Sequence, residues 1–366
     1  MKKILILGGY GNFGKRISTA LAKAELPIVI SGRDQKKASY LAELLAKKFP
    51  NSLVEIASFD AKNNFSQALK ELNPYLVINT AGPFQTSDYN IAKDCIAQSI
   101  HYIDLADGRD FVREISTLDQ LAKNSGSLVI SGASTVPALS SAVLEKFKTQ
   151  FSKINSLTFG IAPGQKAERG LATTKAILTY IGKPLKPSAG SAEIRYGWQD
   201  LYRIKYPEIG TRWMANCDIP DLDLLPSRYN IGSIRFSAGM ENSSLHLGIW
   251  CFSWLVRFGI LKNLPNHAKT LLSLSHVFDL FGSDDGGMHM IIKGQDQDGK
   301  PKEIKWFIIA KNGDGPQIPT IPAIILAKKI ISGNLDKSGA FPCIAMVTLD
   351  EYFAELKDFN VSQHIL

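Results

Sequence analysis

A glycine-rich turn, Gly9-Tyr10-Gly11-Asn12-Phe13-Gly14, restricts the fold more than any other feature of the chain. It is preceded by Lys3 to Leu7, a short apolar run of the kind expected for a strand buried on both faces. It is followed by Phe13, Ile17, Ala20 and Leu21, which recur at helical spacing and form one apolar face. Between a strand and a helix each glycine has a task. Gly9 permits the tight turn, Gly11 lets backbone approach a diphosphate, and Gly14 allows close packing of the helix on the strand. The helix N-terminus adds unpaired N–H groups and the positive end of its dipole.

Strand and helix patterns then alternate. Strand-like runs occur at Pro27–Ser31, Val54–Phe59, Tyr75–Asn79, Tyr102–Leu105 and Leu128–Ser131, separated by helix-period stretches such as Phe65, Ala68, Leu69 and Leu72. The pattern predicts a Rossmann domain, a doubly wound parallel sheet, over residues 1–137. Beyond it the alternation stops. Thr158–Ala162 reads as a strand, and Met288–Lys293 and Glu303–Ala310 as a hairpin joined through Asp296-Gln297-Asp298-Gly299. An inserted α+β domain on an antiparallel sheet is expected over 138–319, for substrate binding and dimerisation. Helix patterns at Ile321–Ile331 and Tyr352–Leu356 suggest that 320–366 packs back onto the first domain.

The length of 366 residues suits two domains. With Lys+Arg 42 and Asp+Glu 34 the net charge is only +8, without the basic tracts of a nucleic-acid binder. Four separated cysteines with no CxxC pair predict neither disulfides nor structural zinc, and the six histidines show no ligand spacing, so no metal is expected. The apolar run at the N-terminus ends too soon for a secretion signal, and a cytoplasmic protein is expected.

The end of the second strand bears on the choice of dinucleotide. An acidic residue there would hold a ribose 2′-OH and repel a 2′-phosphate, whereas this strand leads into Ser31-Gly32-Arg33. Arg33 offers a fork suited to a phosphate and Ser31 a hydroxyl donor, so NADP(H) is expected over NAD. Asp34, one residue on, carries the competing reading of a carboxylate presented to a ribose. Further site residues are expected in the loops after the other strands: Asp60 near an adenine, and Ala81-Gly82-Pro83-Phe84 on the nicotinamide side.

These segments, with His101-Tyr102-Ile103-Asp104-Leu105, Ser131-Gly132-Ala133 and Gly313 to Thr320, resemble the saccharopine dehydrogenase-like oxidoreductases, most specifically over about 145 residues at the N-terminus. The resemblance implies hydride exchange between NADP(H) and a C–N bond of an amino-acid-like substrate. Relatives assigned as enoyl reductases leave an enoyl or carbonyl reductase as the alternative, and a non-catalytic NADP-binding regulator as a third reading.

Hydride transfer needs a partner for one proton. Asp107 is the first candidate and Asp104 the second, although a helix cap or a partner for Arg109 is the stronger reading of each. His101 reads as strand structure, and Tyr89 with Lys93 as a coincidental Tyr-x-x-x-Lys. Between 163 and 213 nine cations face four anions, 9 − 4 = +5. Among them Arg195 and Arg203, set among aromatic residues, are the candidates for a substrate carboxylate, together with Arg109. The apolar stretch Leu245–Leu261, interrupted by His246 and Arg257, reads as a buried helix or a homodimer contact, with membrane-surface attachment as the lesser alternative.

Overall fold

The computed structural model describes residues 2–85, 87–168, 170–188 and 191–366; Arg169, one of the nine cations counted above, lies outside them. The chain divides into two compact units, Met1–Ala142 with Gln317–Glu355 and Val143–Pro316 with Leu356–Leu366. From the N-terminus the elements are β1 (Ile4–Leu7), α1 (Asn12–Lys23), β2 (Ile28–Gly32), α2 (Gln35–Lys48), β3 (Val54–Ser58), α3 (Phe65–Leu72), β4 (Leu76–Asn79), α4 (Asn90–Ala97), β5 (His101–Asp104), α5 (Arg109–Glu114), α6 (Asp119–Ser125), β6 (Leu128–Ser131) and α7 (Ser140–Phe147). There follow β7 (Lys153–Ala162), α8 (Leu171–Tyr180), β8 (Tyr202–Tyr206), β9 (Gly210–Asn216), α9 (Asp221–Tyr229), β10 (Ser233–Met240), α10 (Ser243–Arg257), α11 (Ala268–Ser275), β11 (Gly286–Gln295) and β12 (Pro301–Ala310). The chain ends with α12 (Ile321–Ser332), β13 (Gly339–Pro342), α13 (Leu349–Leu356) and β14 (Val361–Ile365).

The first unit is an α/β domain on a seven-stranded sheet of order β13-β6-β5-β4-β1-β2-β3, parallel at every pairing. The chain winds from β1 to β3 on one side and from β4 to β6 on the other, so the order reverses between β1 and β4. A ligand of such a sheet lies at that point, outside the carboxyl ends of the strands. Both central strands are buried along their whole length, as runs covered on two faces must be. Leu5 and Leu7 point into one core with Phe65, Leu69, Ala92 and Ala122 of α3, α4 and α6. α1, lying against α12, buries Ile17, Leu21 and Ala22.

All six strands expected in this domain form, with boundaries within two residues. The seventh, β13, was not expected: Gly-Ala-Phe-Pro is short and carries both residues that argue against a strand. His101 begins β5, where its Nδ1 accepts from the Leu128 N–H at 2.9 Å, as a structural histidine would.

The second unit carries a seven-stranded sheet of order β14-β12-β11-β7-β10-β9-β8. It is antiparallel, as expected, except where β10 runs parallel to β7. The hairpin forms as expected, with Asp296 Oδ1 accepting from the N–H groups of Asp298 (3.0 Å) and Lys300 (2.9 Å). β8, β9, β10 and β14 escaped the sequence reading. The last corrects a boundary, because the tail of 320–366 does not all join the first unit: β14 pairs with β12. On one face of this sheet α8, α10 and α11 pack over Trp198, Ala215, Ala238 and Met240.

Candidate nucleotide-binding and catalytic site

At the end of β1 the chain turns through Gly8, whose φ of +70° favours glycine. The Gly9 N–H donates to the Ser31 carbonyl at 3.0 Å and the Gly11 N–H to the Gly8 carbonyl at 2.8 Å, fixing the turn to β2 and to itself. The three glycines differ in what surrounds them. A Cβ on Gly14 would fall 2.1 Å from the Gly8 oxygen, so the helix could not approach its own turn; the close contact expected with the sheet is one with the turn. At Gly9 a Cβ would meet Ile30 and the Ile6 oxygen, both at 3.0 Å. At Gly11 it would meet only the Gly8 oxygen, at 3.0 Å, leaving the other side open.

Gly11 is the N-cap of α1, with no side chain capping the helix and no acidic residue in the first turn. Gly11, Asn12 and Phe13 are half-buried. Asn12 is drawn back along the helix, its side-chain and main-chain oxygens accepting from Arg16 Nη1. The turn therefore presents backbone and the positive end of a helix dipole, as a diphosphate requires.

The end of β2 departs from expectation at two residues. Ser31 is fully buried and its Oγ donates to the Ile6 carbonyl at 3.0 Å, so the hydroxyl expected to meet a phosphate is committed to β1. Asp34 caps α2, accepting from the Lys37 N–H at 3.2 Å. Tyr10 lies across this corner. A Cβ on Gly32 would fall 2.5 Å from its ring, and its hydroxyl accepts from the Asp34 N–H at 2.8 Å. Arg33 is exposed, with no ion pair among the described residues. After β3, Asp60 accepts from Lys62 N (3.0 Å) and Asn63 Nδ2 (3.0 Å), which makes it a turn-stabilising residue.

Beyond β4, Thr80 Oγ1 donates to the Leu7 carbonyl at 2.7 Å, tying this loop to the glycine turn where the strand order reverses. Ala81, Gly82 and Pro83 are exposed. Phe84 is not: it is buried against Phe111, ring centroids 5.5 Å apart, and belongs to the core rather than to a nicotinamide surface. Tyr89 donates its hydroxyl to the Phe111 carbonyl at 2.7 Å, which takes it out of any reductase pair with Lys93.

The two carboxylates after β5 have different surroundings. Asp104 is fully buried; its Oδ1 accepts from Gly132 N (2.8 Å), Ser131 Oγ (2.9 Å) and Ala106 N (3.0 Å), while Oδ2 has no hydrogen-bond partner. Burial raises its pKa to about 6 against the pull of those donors. It is a structural tie between β5 and the loop after β6. Asp107 is half-buried, its Oδ1 held by Gln85 Nε2 at 2.9 Å, and burial again raises its pKa while Gln85 opposes the shift. Asp107 is thus the accessible carboxylate of the pair. The supporting residues Thr80 and Gln85 were not identified from sequence, because their roles lie in contacts 73 and 22 residues away.

Arg109 is buried, 5% exposed, at the start of α5. Arg195 bonds Glu193 through Nε (3.1 Å) and Nη2 (2.8 Å), and Arg203 on β8 is exposed over the Trp213 ring at 5.3 Å. Within the first unit the structure brings together the glycine turn, the end of β2, the Ala81–Pro83 loop and the ends of β5 and β6. Among the described residues no cluster of His, Cys, Asp and Glu could hold a metal, and no helix is long and apolar enough to cross a membrane.

No protein of curated function matches the chain. Among solved structures, the WlbA (WbpB) dehydrogenase from Thermus thermophilus in complex with NAD and alpha-ketoglutarate is similar at 11% identity and a TM-score of 0.41, over 97% of this chain and 93% of that one. FolM alternative dihydrofolate reductase 1 from Brucella canis, complexed with NADP, is similar at 16% identity and 0.28, over 36% and 71%. A betaketoacyl-[ACP] reductase from Bacteroides thetaiotaomicron is similar at 14% identity and 0.31, over 36% and 75%. Residues 4–137, the segment that holds the glycine turn and the strand-end loops, match the family model of the saccharopine dehydrogenase NADP binding domain. Over those residues the chain is similar to the saccharopine dehydrogenase NADP binding domain.

Proposed function

We propose that this chain is an NADP(H)-dependent oxidoreductase that exchanges hydride at a C–N bond of an amino-acid-like substrate, with Asp107 as the proton-transfer group. The observation that carries the reading is the corner at the ends of β1 and β2. An uncapped helix N-terminus faces an open turn at Gly11, Asp34 is engaged as a helix cap, and Arg33 stands exposed beside it. Backbone N–H groups of the turn would hold the diphosphate, and the Arg33 guanidinium would favour a ribose bearing a 2′-phosphate. When bound, the nicotinamide ring supplies or takes up the hydride. Asp107 exchanges the accompanying proton with the substrate nitrogen or its water; its raised pKa and its hold by Gln85 suit that role.

The test is NADPH consumption by the purified protein, followed by absorbance, with a mixture of an α-keto acid and an amino acid, and separately with an enal. The reading expects turnover with the first mixture and a loss of 10²-fold or more in Asp107→Asn. Turnover with the enal alone would replace it with an enoyl reductase.

A further inference from the structure

The outer side of the helical layer on the second unit is apolar and cationic at once. α8, α10 and α11 bury their inner faces over the sheet, yet α10 and the segment after it leave large side chains in solvent. Phe258 is 70% exposed, Ile260 68%, Leu280 82% and Phe281 77%. Trp254 stacks on Phe258 at 5.8 Å and meets Trp250 edge-on at 6.3 Å, forming an aromatic row along α10. Side chains of this size are not left in water in such numbers without a partner. Charge indicates which partner. From Asn242 to Phe281 the chain contains one carboxylate, Asp279, which is engaged by His276 (2.8 Å) and Gln165 (3.0 Å), while Arg257, Lys262 and Lys269 are all exposed.

We propose that this face docks on the surface of an anionic phospholipid bilayer, lying in the headgroup region without crossing it. Aromatic residues with an apolar body and a polar edge suit that depth, and lysines at its rim meet lipid phosphates. A second copy of the chain is a poorer occupant. A twofold contact sets a patch against itself, and here that would bring three cations against three, with Asp279, the one carboxylate of the patch, already engaged by His276. Helix length agrees with lying on the surface rather than spanning, since α10 runs only from Ser243 to Arg257.

The experiment is flotation of the full-length protein with vesicles of phosphatidylcholine alone and with vesicles of equal parts phosphatidylcholine and phosphatidylglycerol. Binding is expected to the anionic vesicles, weakening as salt is raised. Lys262→Ala with Lys269→Ala should lower the partition coefficient roughly thirty-fold, since each lysine near such a surface is worth about one unit of kcal/mol. Phe258→Ser, Ile260→Ser, Leu280→Ser and Phe281→Ser together should abolish binding with the thermal midpoint unchanged, because these side chains are exposed. Equal binding to neutral vesicles, or none to either, would overturn the proposal. So would self-association in sedimentation velocity that the four serines remove.

Discussion

Asp104 and Asp107, three residues apart, show how far surroundings separate identical side chains. The pKa of Asp104 in the folded chain, about 6, lies above the ordinary value of 3.8. The folded state therefore holds this proton more tightly than the unfolded chain. The stability it contributes is present at low pH and falls as pH rises from about 4 to about 6, by an amount of order 3 kcal/mol. Asp104→Asn, which cannot ionise, should flatten that decline, so urea denaturation at pH 4.5 and 7.5 should show the variant gaining on the wild type at the higher pH. Parallel curves would contradict this. Asp104→Ala strips the acceptor from the buried Gly132 and Ala106 N–H groups and should cost about 3 kcal/mol at pH 4.5 and less at pH 7.5, where the wild type has already lost its protonation-linked stability. Arg33→Ala should weaken NADPH binding ten- to a hundred-fold and leave NADH binding nearly unchanged, which parallel titrations would measure. Residue type alone misled at Ser31 and Phe84. A serine and a phenylalanine in strand-end loops can face in or out, and both face in: the hydroxyl reaches Ile6 and the ring reaches Phe111.

Among the elements, β1, its glycine turn and α1 were legible in sequence because each is specified locally, by a continuous apolar run, by glycines at fixed offsets and by a helical stripe. The same logic makes Gly14 the sharpest test of this unit. Gly14→Ala sets a methyl 2.1 Å from the Gly8 oxygen, against backbone that cannot swing away. A loss of 2–4 kcal/mol by urea denaturation is expected, with the nucleotide-binding turn displaced. A fully stable variant would show that helix and turn are not so closely locked. Elements held by distant partners were not legible. β13 is four residues beside β6, more than two hundred positions earlier, and β14 owes its strand to the edge of β12. β8, Tyr-Arg-Ile-Lys-Tyr, does alternate apolar and polar residues and carried a signal that went unread, whereas β9, Gly-Thr-Arg-Trp-Met-Ala-Asn, follows no such period and is defined by its pairing. The carboxylate network at Asp104 is of the same kind, since Ser131 and Gly132 reach it from another strand's end.

At the scale of the whole molecule, the first unit is assembled from two distant parts of the chain, Met1–Ala142 and Gln317–Glu355. The second part supplies β13 at the sheet edge and α12 beside α1. Residues 1–142 expressed alone should therefore aggregate, with the β6 edge and an apolar face of α1 exposed. The same residues joined to 317–355 by a flexible linker should be soluble and cooperative in thermal unfolding. Equal solubility of the two would mean that the returning segment is dispensable. The domain pattern was visible in the alternation of strand and helix, but this closure was not, because a returning helix and a four-residue strand carry no local sign of which sheet they join. The central claim is that the turn at Gly9–Gly14 holds a nicotinamide dinucleotide and that Arg33 selects its phosphorylated form. Titration of the full-length protein with NADPH and with NADH, followed by the fluorescence of the reduced nicotinamide, tests it most directly. Saturable binding of NADPH at least ten-fold tighter than NADH is predicted; binding of neither, or a preference for NADH, would contradict it.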